Sequence, residues 1–154
     1  MHEADPELGL VNAPGAYVFG DPPVRMTFWG DHTRATAAAP VEAPGSIVVL
    51  GCSFVQGSAL SGEQTFAWKV QAHFPGARVF NYGTARDGIA QALLSLQRHL
   101  ATHPRPTDAT GAADAPFLVV YGFSDFHADR TVASAPWLRT LAQLSSSRPL
   151  SACI

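Results

Sequence analysis

The chain has 154 residues, is 47% hydrophobic and only 14% charged, and carries a net charge of −2. With a mean hydropathy of +0.08, that composition fills the core of one domain and excludes a disordered tail, a coiled coil and a highly charged nucleic-acid binder. Its ten basic residues are scattered singly, so no basic stripe offers a phosphate backbone a footprint, and no nucleic-acid partner is expected.

Residues 1–45 read as a β-rich extension and connector. Tyr17-Val18-Phe19 and Val24-Arg25-Met26-Thr27-Phe28-Trp29 flank Gly20-Asp21-Pro22-Pro23, the pattern of a hairpin or of two edge strands. The stretch 35–45, rich in Ala and Pro, is a connector. Residues 46–144 then read as an α/β domain. Ile47-Val48-Val49-Leu50 is continuously apolar, as in a strand covered on both faces. Phe66, Ala67, Val70 and Phe74 form a helical stripe closed by Pro75-Gly76. Residues 78–82 give a second strand. Gly88 to His103 is the strongest helix, with Ile89, Leu93, Leu96 and Leu100 on one face and Pro104 ending it. Residues 104–116 form a small-residue loop, 117–121 a third buried strand, and 132–144 a further helix. The tail 145–154 has no pattern.

No stretch approaches the roughly 18 apolar residues of a membrane span. The start of the chain has neither the basic nor the apolar region of a signal peptide, so a cytoplasmic location is expected. Cys52 at a strand exit and Cys153 near the end of the chain make no disulfide framework, and they are not expected to pair.

Strand, helix, strand, helix, strand in alternation argues for a parallel, doubly wound α/β sheet, whose ligands sit beyond the carboxyl ends of the strands. After the first strand comes Gly51-Cys52-Ser53-Phe54-Val55-Gln56-Gly57-Ser58. A serine at a sharp strand exit presents its hydroxyl as a nucleophile, or it caps a helix; the local residues leave both open. A phosphate-binding Walker loop is set aside because no Lys follows Gly57. The Gly-x-Ser-x-Gly elbow is set aside because Val55 holds its second glycine. Cys52, with no His or cation beside it in sequence, reads as a packed small hydrophobe.

Taken together, Ile47-Val48-Val49-Leu50-Gly51-Cys52-Ser53-Phe54, Val79-Phe80-Asn81-Tyr82-Gly83 and Val119-Val120-Tyr121-Gly122-Phe123-Ser124-Asp125 resemble the SGNH (GDSL-type) hydrolases in order and spacing over about residues 46–130. The resemblance implies a flavodoxin-like three-layer parallel sheet, here incomplete at its C-terminal side. It implies an esterase or acyltransferase that works through an acyl-enzyme on a small-molecule, carbohydrate or lipid acyl ester, without a cofactor. It puts Ser53 at the nucleophile, with Cys52 in place of the usual Asp, and matches Asn81 to the Asn that ends the second strand. The oxyanion donors carried over are Ser53, Arg86 and Ser124. Arg86 stands where the family has a glycine, and Ser124 where it has an asparagine with longer reach. The family's Asp-x-x-His block is absent between Asp129 and Ile154, so a truncated or degenerate member of little or no activity is expected.

His127 is the only substitute base, because it follows the third strand. The geometry argues against it: Asp125 diverges from it whether the segment is extended or helical, so a structural role is expected. His2, His32, His73, His99 and His103 are scattered. His99 and His103 are i,i+4 on one helix without a third ligand, so they read as solvent-facing and no metal site is expected. The alternative to a serine esterase is a non-catalytic α/β domain or binding module. It accounts for Arg86, Ser124 and the missing base.

Overall fold

The computed structural model describes residues 1–104 and 115–131. The helix expected over 132–144, the tail 145–154, most of the 104–116 loop and Cys153 lie outside the described residues. Two antiparallel hairpins come first: β1 (His2–Asp5) with β2 (Gly9–Asn12), and β3 (Gly15–Phe19) with β4 (Val24–Phe28). The second is the hairpin expected around Gly20-Asp21-Pro22-Pro23. The first has no clean alternation in its sequence. Its turn is set by the Asp5 carboxylate, which accepts from the N–H groups of Glu7 at 3.0 Å and Leu8 at 2.9 Å.

From residue 45 the chain builds a sheet. Strand β5 (Gly45–Gly51) leads into a short α1 (Ser53–Gln56), a 3₁₀ turn (Gly62–Gln64) and α2 (Phe66–His73). Then come β6 (Ala77–Asn81), α3 (Ile89–Thr102), β7 (Phe117–Gly122) and α4 (Phe126–Thr131). The three strands are parallel in the order β6-β5-β7. The Ile-Val-Val-Leu run is therefore central, which is why it is apolar on both sides. Ile47 and Val49 pack with Val79 and the α2 residue Ala67, while Val48 and Leu50 pack with the α3 residue Ala92. The period-2 pleat thus sends alternate residues of one strand to two helices on opposite faces. This is a mixed α/β arrangement with a parallel sheet flanked by helices.

Strand β6 would be an edge, but its outward groups are bonded. Gln71 donates to the Ala77 carbonyl at 2.8 Å and accepts from Val79 N–H at 2.8 Å. The Thr36 hydroxyl donates to the Val79 carbonyl at 3.1 Å, and Arg34 N–H to the Asn81 carbonyl at 2.8 Å. The residues after β4 thereby run antiparallel to the end of β6 and join the N-terminal hairpin to the sheet.

Both expected helix faces are rotated. In α2, Ala67 and Gln71 are buried, whereas Phe66 and Phe74 are exposed. The polar Gln71 faces inward because β6 gives its amide two partners. In α3, Ala92, Ser95 and His99 are buried, with Leu96 packed beside them, while Ile89, Leu93 and Leu100 are exposed. Small residues at 92 and 95 let the helix approach the sheet, and His99 finds a partner there. His99 is therefore not solvent-facing. Its Nδ1 meets the Tyr82 hydroxyl at 3.1 Å, and its ring packs edge-on against Phe80. Burial, then the neighbouring His103, lowers its pKa to about 4, so the ring is neutral and packs as an aromatic. Among the described residues no helix is long and apolar enough to cross a membrane.

Candidate functional site

The carboxyl ends of the three strands share one chemical device. Each has a glycine at its end or just beyond it: Gly51 ends β5, Gly122 ends β7, and Gly83 follows β6 after Tyr82. A Cβ at Gly51 would lie 2.5 Å from Val55 Cγ2, one at Gly122 2.2 Å from the same atom, and one at Gly83 2.3 Å from the Gln56 nitrogen. Three missing side chains thus make the seat into which α1 drops, directly off the end of the central strand. This signal is present in the sequence, yet it reads as turn punctuation until the strands are aligned.

Ser53 is the first residue of α1, and Cys52, which is buried and free, is its N-cap. The cap alternative for Ser53 is therefore overturned: no side chain caps this helix, and the Ser53 hydroxyl has no hydrogen-bond partner among the described residues. The Ser53 carbonyl is engaged, accepting from Gly57 N–H at 2.9 Å and Ser58 N–H at 3.1 Å. Asn81, fully buried, donates to the Val55 carbonyl at 3.1 Å and accepts from Gly83 N–H at 2.9 Å. It ties α1 to the turn after β6. Asn12 of the first hairpin accepts from the Gln56 amide at 2.7 Å and donates to the Gly83 carbonyl at 3.0 Å. Nothing in the sequence around Asn12 marks it for this place, 44 residues from Gln56.

The loops after β6 and β7 stand beside this turn. Thr84 N–H donates to the Gly51 carbonyl at 3.1 Å, and the rings of Phe54 and Phe126 lie 6.1 Å apart. Arg86 is exposed and has φ 77°, a left-handed conformation that L side chains rarely adopt and glycine takes freely. Ser124 lies in the turn before α4. Its carbonyl accepts from His127 N–H at 2.8 Å.

His127 is fully buried on α4, among the rings of Tyr121, Phe123 and Phe126. Its Nδ1 meets the Tyr121 hydroxyl at 2.7 Å and accepts from Ser124 N–H at 3.3 Å. A backbone N–H only donates, so Nδ1 is the acceptor and the neutral ring carries its proton on Nε2. That Nε2 is buried without a partner. Burial, then Arg130, lowers the His127 pKa and keeps the ring neutral. A ring with its proton on Nε2 and, among the described residues, no carboxylate on Nδ1 and no bond to Ser53 is not arranged as a general base. His127→Ala is expected to lower stability by about 1–3 kcal/mol, as lost buried hydrogen bonds do, and to leave Ser53 reactivity unchanged. Denaturant unfolding and Ser53 labelling check the two halves.

Asp87, which the sequence reading did not single out, precedes α3 and is buried. Desolvation pushes its carboxyl up to about 8, with Arg130 opposing. Among the described residues no group of three or more His, Cys, Asp or Glu is placed to hold a metal ion. Comparison with protein-family models, with curated proteins and with solved structures gave no match. The residues alone carry the functional argument.

Proposed function

We propose that the chain is a serine ester hydrolase or acyltransferase of SGNH type, built on a flavodoxin-like sheet and weak or inactive as it stands. The observation that carries the reading is Ser53, seated at the carboxyl end of the central parallel strand with a hydroxyl unpartnered among the described residues. The left-handed backbone at Arg86 supports it, because glycine is the residue such a conformation favours and the family has glycine there. In the proposed reaction Ser53 Oγ bonds to the acyl carbon of a small-molecule, carbohydrate or lipid ester. The C–O bond to the alcohol breaks, and the alcohol leaves with the serine proton. Water or a second alcohol then cleaves the acyl-enzyme. The N–H groups of Ser53 and Arg86 and the Ser124 hydroxyl are the oxyanion donors in this reading.

That serine proton has no base to accept it among the described residues, and a base contributes orders of magnitude to such reactions. Turnover of a short p-nitrophenyl ester is therefore expected to match that of Ser53→Ala, while prolonged fluorophosphonate treatment places its adduct on Ser53. Robust Ser53-dependent hydrolysis would show a functioning base. Absence of any Ser53 adduct on the folded protein would favour the second reading, a non-catalytic α/β domain, for which the proton on His127 Nε2 speaks.

A further inference from the structure

Arg34 is the largest side chain in the fully buried set, at 1% exposure. Its backbone is fixed between two strands: its N–H donates to the Asn81 carbonyl at 2.8 Å, and it bridges Phe28 on the other side. No carboxylate faces it in an ion pair among the described residues. Instead Nη1 donates to the carbonyls of Gln56 and of Gly57, the latter at 2.6 Å, and Nη2 donates to the Leu60 carbonyl. These are the carbonyls in which α1 and its following turn end.

We propose that Arg34 is the positioning residue of the Ser53 turn: its guanidinium clamps the carboxyl end of α1 and so fixes Ser53 at the end of β5. A four-residue helix has too few internal hydrogen bonds to persist unaided, and its last carbonyls have no partner inside the helix. A cation at that end satisfies them and complements the local dipoles. The planar fork addresses three oxygens in a fixed geometry, whereas a lysine would bring one compact, mobile charge. Gly57 completes the fit. It is left-handed at φ 71°, and a Cβ there would lie 3.1 Å from Arg34 Nη1 and 2.8 Å from Thr65 Cγ2. The hydroxyl-bearing turn is thus assembled from both parts of the chain, and the first 34 residues belong to the site. The clamp stands on geometry alone; its effect on reactivity rests on the function proposed above.

The test uses Arg34→Lys in the full chain, with Cys52 as a native reporter. Cys52 is fully buried and is the N-cap of α1, so its alkylation reports opening of the turn. Peptide mapping separates it from Cys153. A variant that melts cooperatively is expected to alkylate Cys52 about tenfold faster or more, with the Ser53 fluorophosphonate adduct forming about tenfold more slowly. Wild-type protection of Cys52 in that variant would overturn the clamp. Faster Cys52 alkylation with an unchanged Ser53 adduct rate would overturn the positioning of Ser53. Failure of the wild type itself to label at Ser53 would defeat the proposed function, while the Cys52 rates still decide the clamp. Should Arg34→Lys not fold, hydrogen exchange on the wild type decides instead. Gly57 and Ser58 amides as protected as those of β5 support the clamp, and exchange at loop rates overturns it.

Discussion

Gly83→Ala is expected to destabilise the protein by about 3 kcal/mol or more, against a change within about 1 kcal/mol for Gly76→Ala. The Cβ built at Gly83 meets backbone only: the Gln56 nitrogen at 2.3 Å, the Val55 carbonyl carbon at 2.7 Å and the Gln56 Cα at 2.8 Å. No rotamer change relieves such a contact, so either α1 or the end of β6 must move. Neither moves alone, because Asn81 bonds to both Val55 and Gly83 and Asn12 bonds to both Gln56 and Gly83. Gly76 has nothing within 4 Å of its Cβ position, so alanine there only restricts the unfolded chain. Urea midpoints at constant slope make the comparison, and equal midpoints for the two variants would refute the seat described for α1.

Asp87→Asn is expected to raise stability at pH 8 by roughly 2–4 kcal/mol and to leave it nearly unchanged at pH 4. Asp87 is buried and its folded pKa is raised to about 8, against 3.8 for an ordinary carboxyl. Between those values the unfolded chain has released a proton that the folded protein retains. Stability therefore falls as pH rises through this window and levels off above it. The guanidinium of Arg130, which donates to the Asp87 carbonyl at 2.9 Å, offsets part of the cost without removing it. Asp5 acts in the opposite sense. Its hydrogen bonds from Arg98 hold its carboxyl well below the usual range, and the stability they supply is lost on acidification. The difference between wild type and Asp87→Asn at each pH cancels Asp5 and isolates Asp87. A flat difference from pH 4 to 8 would sink the assignment.

What the sequence made legible divides along physical lines. Strand β5 announces itself because burial on both faces demands a continuous apolar run, and α3 because it is long and ends at a proline. Strand β7 carries a similar run, but the expectation that it is buried is overturned, because Leu118, Val119 and Val120 are exposed at the edge of the described sheet. The inward face of α3 was not legible. Leucines at 93 and 100 are more hydrophobic than Ala92 and Ser95, but the close approach to the sheet selects small residues. The burial of His99 depends on Tyr82, seventeen residues earlier, which no local pattern reveals. Ser53 was found at the end of the central strand because strand ends are where such sheets work. Of the supports of its turn, Asn81 is legible through the family resemblance alone, while Asn12 and Arg34 are not: they reach the turn through side chains from other elements, and no spacing rule encodes those contacts. His127 was read as structural from geometry, and its Nδ1 partners provide the mechanism for that reading. The helix α4 that carries it is not legible, because six residues hold too little pattern to tell a helix from a loop.

The supports of α1 also bear on the order of events as the chain folds. Arg34 lies 22 to 26 residues from the carbonyls it binds, Asn81 lies 26 from Val55, and Asn12 lies 44 from Gln56. A turn whose side-chain hydrogen bonds to other elements all reach that far in sequence gains little from local nucleation. Those ties close only after the first hairpin has docked and β6 has paired. Pulse-labelled amides of Gln56, Gly57 and Ser58 should therefore acquire protection in the last kinetic phase of refolding, later than those of α3.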